Sequence, residues 1–214
     1  MTIGYADLPK PIRSGLVVVD PVRGTPQRVI VMQFNPDTLQ RTLAPQSTTG
    51  EGSGDRTEAL RLTGAASETW KFDAEIDATD QLDRPQPGGI HPQLATLELL
   101  VQPPSARLRS NQTLASIGTL EVAPVETPLA LFVWGKSRVL PVRVTELSIV
   151  EDAFDADLNP LRATVSLGLR VLTTSDLPTG HRGAELFLAH LSQKERLAGA
   201  TAPAPLGVLG LSGI

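Results

Sequence analysis

The chain has 214 residues, of which 41% are hydrophobic and 4% aromatic, so it can bury the core of one large β domain or two small ones. The formal net charge of -4 argues against a bulk nucleic-acid binder, and the absence of cysteine excludes disulfides and thiolate metal sites. No apolar run approaches the ~18 residues of a membrane helix, and the first residues lack the apolar region of a secretory signal. We therefore expect a protein that is made in the cytoplasm.

The first quarter of the chain predicts an arm, a hairpin and a loop. Residues 1–14 contain prolines and few apolar residues, which favours an N-terminal arm. Two β-branched runs, 16–19 and 29–34, flank a stretch rich in Pro and Gly, and this predicts a β-hairpin whose second strand is buried. Pro36 would end that strand, because proline lacks a backbone donor and restricts the preceding residue. Residues 44–57 are polar, small and aperiodic, so we expect a mobile loop.

Two later stretches alternate between apolar and polar side chains. Apolar residues occupy the even positions from 70 to 76, and the odd positions from 161 to 171. This period of two predicts half-buried strands of an antiparallel sheet. In 139–150 the apolar positions change parity after Val144, which predicts a β-bulge or bend. The acidic residues 151–160 would then form the turn into the strand that follows.

Helical spacing is limited to two stretches. Residues 90–102 carry apolar side chains at helical intervals, and Pro92 is suited to the first turn of a helix. Residues 182–199 also carry apolar side chains at helical intervals, and this second helix would end near Gly199. The Pro-, Gly- and Ala-rich residues 198–214 predict a flexible tail. Because the β pattern outweighs the helical one, we predict a mainly β fold over 15–197. It would be a curled antiparallel sheet or β-barrel with one mid-chain helix and one C-terminal helix.

One loop has the spacing of a metal site without its key residues. Asp155, Asp157 and Asn159 are placed like the opening of a calcium loop. Pro160 stands where that loop needs glycine, and Ser166 stands where it needs glutamate. The better interpretation is a polar hairpin tip, so we predict no metal site.

No residue group supports catalysis convincingly. Asp73, Glu75 and Asp77 share one polar strand face, where repeated acids favour a solvated or partner-facing surface over general acid–base chemistry. The three histidines are far apart and favour helix-cap or surface roles. We therefore predict no catalytic residue and no cofactor, and a protein that is not an enzyme.

Two other functions stay open on these residues. One is a small-ligand or carbohydrate-binding β domain that would use the acidic strand face and the loop 151–160. The other is a hydrolase that would combine His91 with the carboxylates of 73–77.

Five segments, in a fixed order over roughly residues 15–197, carry a more specific signal: MQFNPDTLQRTL, LRLTGAASETWKFDAEIDATD, GIHPQLATLELLVQPP, PLALFVWGKSRVLPVRVTELSIVEDAFDADLNPLRATVSLGLRVL and GAELFLAHLSQKE. Together they resemble the tube-related baseplate proteins of contractile injection systems. These are phage-tail-like particles of bacteria that include antifeeding-prophage and Photorhabdus virulence-cassette machines. Many members continue into a LysM domain associated with peptidoglycan binding, and we expect this chain to depart from them by lacking it.

The resemblance implies a tail-tube-like fold and a structural role. Copies would assemble into an axial homohexameric ring that joins the spike hub to the inner tube. The partners would be the chain itself, the spike or hub protein, the inner-tube protein and other baseplate proteins, with no nucleic acid and no membrane span. The chain would be assembled in the bacterial cytoplasm, as part of a particle that either stays inside the cell or is released.

The predicted subunit interface consists of strand ends, one strand face and one loop. We expect residues 37–57 to extend towards a neighbouring subunit, ordered in the ring and loose in the monomer. The individual residues predicted to lie in the interface are Phe34, Asn35, Pro36, Asp37, Arg41, Asp73, Glu75, Asp155, Asp157 and Asn159.

Overall fold

Seven β-strands form the framework of the protein in the computed structural model, which describes residues 12–20, 23–47, 61–78, 88–116, 118 and 128–213. The strands are β1 (Gly15–Val19), β2 (Pro26–Val31), β3 (Gln40–Ala44), β4 (Ser67–Asp77), β5 (Leu129–Val133), β6 (Val139–Phe154) and β7 (Pro160–Val171). They form one sheet in the order β2-β1-β5-β6-β7-β4-β3, with every neighbouring pair antiparallel. The prediction of a mainly β, curled antiparallel sheet is confirmed.

The sheet is curled but its ladder is not closed into a barrel within the described residues, since β2 and β3 are its two edges. One side chain joins the segment after β2 to the end of β4, the strand next to the edge strand β3. The Gln33 amide donates to the Asp77 carbonyl oxygen at 2.7 Å and accepts from the Asp77 backbone N–H at 2.8 Å. The segment that follows β2 therefore lies against the end of β4, and the chain crosses from one edge of the sheet to the other before β3 begins.

The central strands confirm the predicted alternation. On β4, Trp70, Phe72 and Ala74 are buried, and on β7 the odd-numbered residues from 163 to 171 are buried. β6 pairs with β7 along almost its whole length, and the register shifts between Val144 and Glu146. The predicted bulge therefore lies where the apolar positions change parity.

The first hairpin forms as predicted, but its second strand is not buried. Among the described strands β2 pairs with β1 alone, and Val29 and Val31 are 59% and 55% exposed. β-branched residues fit a pleated strand whether or not the strand is buried. The apolar composition of β2 therefore led to a prediction of burial, although the strand lies exposed at the edge of the sheet. The strand also ends earlier than predicted, at Val31, so that Phe34 lies in the crossing segment.

Two predicted helices are present and a third was missed. α1 (His91–Glu98) has proline in its first turn and buries Leu94 and Leu97. α3 (Arg182–Gly199) has the predicted bounds and buries Phe187. Between them, α2 (Ser105–Ser116) has no buried residue and no apolar face, so periodicity could not reveal it. No helix of the described part is long and apolar enough to span a membrane.

α1 is attached to the start of β7 by a close backbone contact. The Ile90 N–H donates to the Pro160 carbonyl oxygen at 2.9 Å. Gly89, at φ 60°, precedes it, and a side chain there would collide with the same carbonyl. This contact holds the start of the helix at the start of β7, and Ile90 and Leu94 join the hydrophobic cluster.

Aromatic residues are few but concentrated at the centre of the core. Phe132 on β5 is fully buried and contacts three other rings. Its ring centroid lies 5.2 Å from that of Phe72, 5.4 Å from Trp70 and 5.9 Å from Trp134. The cluster ties β5 to β4 across the curl of the sheet.

Candidate functional site

The sheet face opposite the core carries paired charges across β4, β7 and β6. Lys71 of β4 and Glu146 of β6 form an ion pair at 2.8 Å that crosses β7 above Gly168. A Cβ at Gly168 would lie 2.8 Å from the Glu146 Cβ, so glycine leaves room for this crossing. Farther along, Arg162 donates to Asp77 at 2.9 Å. We call this surface the polar face.

The polar face contains two of the predicted interface residues. Asp73 accepts a hydrogen bond from the Ser166 hydroxyl at 2.6 Å, and Glu75 lies exposed opposite Thr164. The acids predicted to form an acidic surface therefore alternate with hydroxyl and basic groups. Exposed ion pairs such as Lys71–Glu146 add little stability. The arrangement suits a hydrated surface of mixed charge.

Asn35 uses its side chain within its own chain. Its Oδ1 accepts from the Ser14 backbone N–H at 2.8 Å, and its Nδ2 donates to the Ile12 carbonyl oxygen at 2.9 Å. Just before it, the Met32 N–H donates to the Ser14 carbonyl oxygen at 2.9 Å. The Asn35 amide thus continues the β1–β2 hydrogen-bonding pattern past the end of the strand. Pro36 is half-buried, whereas Phe34 and Asp37 are exposed.

Asn35→Ala is expected to lower the free energy of unfolding by about 1–2 kcal/mol, since it removes two side-chain hydrogen bonds that each contribute about 0.5–1.5 kcal/mol net. Amide hydrogen exchange at Ser14 should accelerate, because that N–H loses its acceptor. Asp37→Ala is the matched control, with an exposed side chain in the same segment and an expected change below about 0.5 kcal/mol. Unchanged Ser14 exchange in the Asn35 variant would contradict the assignment.

The predicted inter-subunit extension is partly a strand of the chain's own sheet. Residues 40–44 form β3, which pairs with β4, and Ser47 bridges to Leu62. For these residues, the expectation of a loose extension is wrong, because pairing with β4 satisfies their backbone. Arg41 lies with its guanidinium carbon 5.4 Å from the Trp70 ring centroid, a cation–π arrangement. Residues 48–57 of that prediction lie outside the described residues.

The hairpin between β6 and β7 has a tightly bonded turn. The Asp155 carboxylate accepts from the backbone N–H of Asp157 at 2.9 Å, and from the backbone and side chain of Asn159 at 2.8 Å each. The hydrogen bonds from Asn159 lower the pKa of Asp155, because they favour the charged form. No group of acids and histidines that could hold a metal ion occurs in the described residues.

The same turn presents an apolar residue in a conformation that L-residues rarely adopt. Leu158 has φ 62° and is 78% exposed. Phe154, at the end of β6, is also largely exposed. The polar hairpin tip is therefore present as predicted, but it also exposes two large apolar side chains. A left-handed conformation in a residue other than glycine costs about 1–2 kcal/mol.

The predicted interface residues do not form a single cluster, although contacts through Asp77 link some of them. The Gln33–Asp77 contact brings the segment 34–37 to the end of β4. The Arg162–Asp77 pair then links that point to the base of the β6–β7 hairpin. Arg41 lies apart from these groups, on the edge strand β3.

A buried carboxylate that the sequence reasoning missed holds α3 to β4. Glu68 is 3% exposed, and its two oxygens accept from the Trp70 indole N–H and from the Lys194 ammonium, both at 2.8 Å. A signal was available, because Glu68 has the same parity as the buried residues of β4. The Glu68–Lys194 pair joins residues 126 positions apart in the chain.

His190 departs from the predicted cap and surface roles. His181 caps α3 by accepting from the Gly183 N–H at 3.1 Å, and His91 is exposed, as predicted. His190 is buried, and neither ring nitrogen has a hydrogen-bond partner among the described residues. Burial, together with the charges of Lys194, Arg138 and Arg41, lowers its pKa against the opposing influence of Glu68.

Stability should therefore fall as the pH drops below about 6.5, the ordinary pKa of histidine. His190 binds a proton more readily in the unfolded chain than in the folded one. Its contribution to the free energy of unfolding is therefore fully present above that pH. The contribution is lost as the pH falls from that value to the lower pKa of the folded state. The slope from this residue is at most about 1.4 kcal/mol per pH unit. Urea denaturation between pH 5 and 8 should show a weaker slope in His190→Leu than in His91→Gln. Equal slopes would contradict this assignment.

An apolar groove lies at the opposite end of β6 and β7 from their shared turn. It has a volume of about 790 Å³ and is lined by the start of β6, the end of β1, the start of β5 and the segments that follow α1 and β7. Its apolar wall includes Val18, Leu100, Leu129 and Leu177, and Arg28 and Arg143 contribute charge. It contains neither the acidic strand face nor the loop 151–160 on which the ligand-binding hypothesis depended.

Comparison with known proteins gives one family match. A family described as "Contractile injection system tube protein" matches residues 18–177. The match covers most of the chain, from the end of β1 past the end of β7, and it includes the polar face and the β6–β7 hairpin. No curated protein matches the chain.

Proposed function

Because the chain belongs to the contractile injection system tube protein family, we propose that it is a baseplate component whose copies form an axial ring between the spike hub and the inner tube. As a tube protein it is a structural part of a phage-tail-like particle, and it assembles with itself and with other particle components. The proposal adds its position in the baseplate and a ring of six copies.

The observation that carries the proposal is a long strand face that is charged, exposed and free of covering elements in the described part of the chain. β4, β6 and β7 bury one face in the core and leave Lys71, Glu75 and Glu146 on the other. A ring around a water-filled lumen needs such two-faced strands, because each subunit must keep its core dry while its inner surface stays hydrated. Cyclic assembly would place this face at the same radius in every copy.

Apolar residues on the sheet edges support contacts between neighbouring copies. Val29 and Val31 on β2 and Leu43 on β3 are exposed. Unpaired strand edges readily recruit another chain, and apolar edges do so more strongly. Phe34 and Asp37 follow β2, and Arg41 lies on β3, so the predicted interface residues occur near both edges. We assign these residues to ring contacts, with Asp73 and Glu75 facing the lumen.

Cryo-electron microscopy of particles that carry a tagged copy of this chain tests the proposal. We expect six copies in one layer between the spike hub and the inner tube, and native mass spectrometry of the purified ring should give six times the 22.8 kDa mass of the chain. A location along the tube shaft would reject the baseplate position but keep the tube assignment. Complete particles that lack the chain would overturn both.

A further inference from the structure

The C-terminal helix α3 is attached to the sheet by side chains on one of its faces. Phe187, His190 and Lys194 recur at intervals of three and four residues, so they lie on the same side of the helix. Phe187 joins the hydrophobic cluster, His190 is buried, and Lys194 binds Glu68 of β4. We propose that α3 is a pH-operated latch, which is closed on the sheet while His190 is neutral and opens when acid protonates this residue.

His190 is buried without the contacts that a charged imidazole would need. It is 7% exposed, and neither ring nitrogen has a hydrogen-bond partner among the described residues. A protonated imidazole has two N–H donors, and burying an unpaired charge costs far more than burying the neutral ring. The closed position of the helix therefore suits the neutral form alone.

The charged groups around His190 also oppose its protonation. Lys194 lies one turn away on the same helix, and Arg138 in the β5–β6 turn and Arg41 on β3 add positive charge. Glu68 of β4 acts in the opposite direction, but both of its oxygens already accept hydrogen bonds from other side chains. Burial is the main cause that lowers the pKa of His190; the cations add to it, and Glu68 opposes them. A proton on His190 therefore destabilises the closed helix.

The segment before α3 provides a hinge. Asp176 accepts hydrogen bonds from the backbone N–H and the hydroxyl of Thr173, both at 2.9 Å, and pairs with Arg170 of β7 at 2.6 Å. These contacts fix the chain to the sheet up to this point. Gly180 then precedes the helix at φ 78°, and a Cβ there would meet no atom within 4 Å beyond its chain neighbours. Because a glycine in open space can absorb a change of backbone direction, α3 can move as a unit while β7 stays paired.

The open state differs from the closed one in the core and in the C-terminal segment. Phe187 would leave the hydrophobic cluster, and Lys194 would separate from Glu68. Residues 200–213 follow the helix and would move with it. The latch thus couples the acidity of the surroundings to the position of this end of the chain. This inference goes beyond the proposed function and does not depend on where in the particle the chain lies.

Amide hydrogen exchange of the full chain between pH 5 and 8 tests the latch. Protection factors of residues 186–191, in the middle of α3, should fall by up to about tenfold per pH unit below about pH 6.5, as expected for uptake of one proton. At each pH they should lie at least about tenfold below those of β6 and β7, because opening the helix leaves the sheet paired. Equal protection factors in helix and sheet would overturn the latch, since both would then open only by unfolding of the whole chain.

Three variants assign the switch to His190. In His190→Leu the protection factors of α3 should stay constant between pH 5 and 7, whereas His91→Gln, at an exposed histidine of α1, should behave like the parent chain. Arg138→Gln removes an exposed cation that opposes protonation, so the loss of protection should begin at a higher pH. An unchanged pH dependence in His190→Leu would reject the proposal.

A cysteine on α3 reports opening without any change at His190. The chain has no native cysteine, and Ala184 on α3 is 8% exposed. Ala184→Cys should react with dithiodipyridine about 10- to 30-fold faster at pH 5 than at pH 7, after normalisation to the urea-unfolded chain at each pH. Ser192→Cys, at an exposed position of the same helix, is the matched control and should show no such change. A thiol at position 184 that stays equally protected at pH 5 would overturn the latch.

Discussion

Phe132→Ala is expected to lower the free energy of unfolding by about 3–5 kcal/mol, the usual cost of truncating a fully buried aromatic residue. Phe132 is fully buried and contacts Phe72, Trp70 and Trp134. The loss combines the removed apolar area, the cavity left behind and three ring–ring contacts. Because the cluster joins β5 to β4, the whole curl of the sheet should weaken.

Urea denaturation followed by tryptophan fluorescence measures this effect, since both tryptophans of the chain lie in the cluster. Phe34→Ala is the control, because that ring is 44% exposed in the crossing segment and should cost less than about 1 kcal/mol. Equal losses in the two variants would show that the core does not centre on Phe132.

Glu68→Ala is expected to cost about 2–4 kcal/mol. It removes the hydrogen-bond acceptor of the buried Trp70 indole N–H and the ion-pair partner of Lys194. A polar group that is buried without a partner has lost its hydration and gained no hydrogen bond in exchange, which destabilises the fold. The expected loss is smaller than for a fully buried ion pair, because Lys194 is partly exposed and can turn towards water. α3 should also become easier to detach, which limited proteolysis would detect.

A second lysine–glutamate pair of the same length provides the control. Lys71 and Glu146 also lie 2.8 Å apart, but their side chains are 61% and 59% exposed. A double-mutant cycle should give a coupling energy below about 1 kcal/mol for this exposed pair, and a larger one for Glu68–Lys194. Similar coupling energies would contradict a structural role for burial at Glu68.

Elements with periodic burial could be predicted from the sequence. β4 and β7 were identified because a half-buried strand must alternate apolar and polar residues, and the bulge in β6 was identified because it shifts that alternation. α3 was found with its correct bounds because its apolar residues recur at helical spacing. In each case a local pattern reports burial directly.

Elements without a buried face gave no such pattern. All five residues of β3 are exposed, α2 has no buried residue, and β2 looks apolar although it lies at an edge. The Asn35 amide and the Glu68–Lys194 pair depend on partners at least 21 positions away in the chain. Such contacts arise from the tertiary fold, so single-sequence reasoning could assign Asn35 to an interface but could not find its partners.

The strand order has a consequence for how the chain folds during synthesis. β1 and β2 can pair early, as can β3 and β4, but an isolated two-stranded hairpin is marginally stable in water. β1 then needs β5, up to Val133, and β4 needs β7, up to Arg170. At about 5–20 residues per second, both hairpins would wait several seconds on the ribosome for these partners. The core therefore closes only after most of the chain has been translated, and until then the apolar faces of the early hairpins stay exposed to chaperones and to other nascent copies.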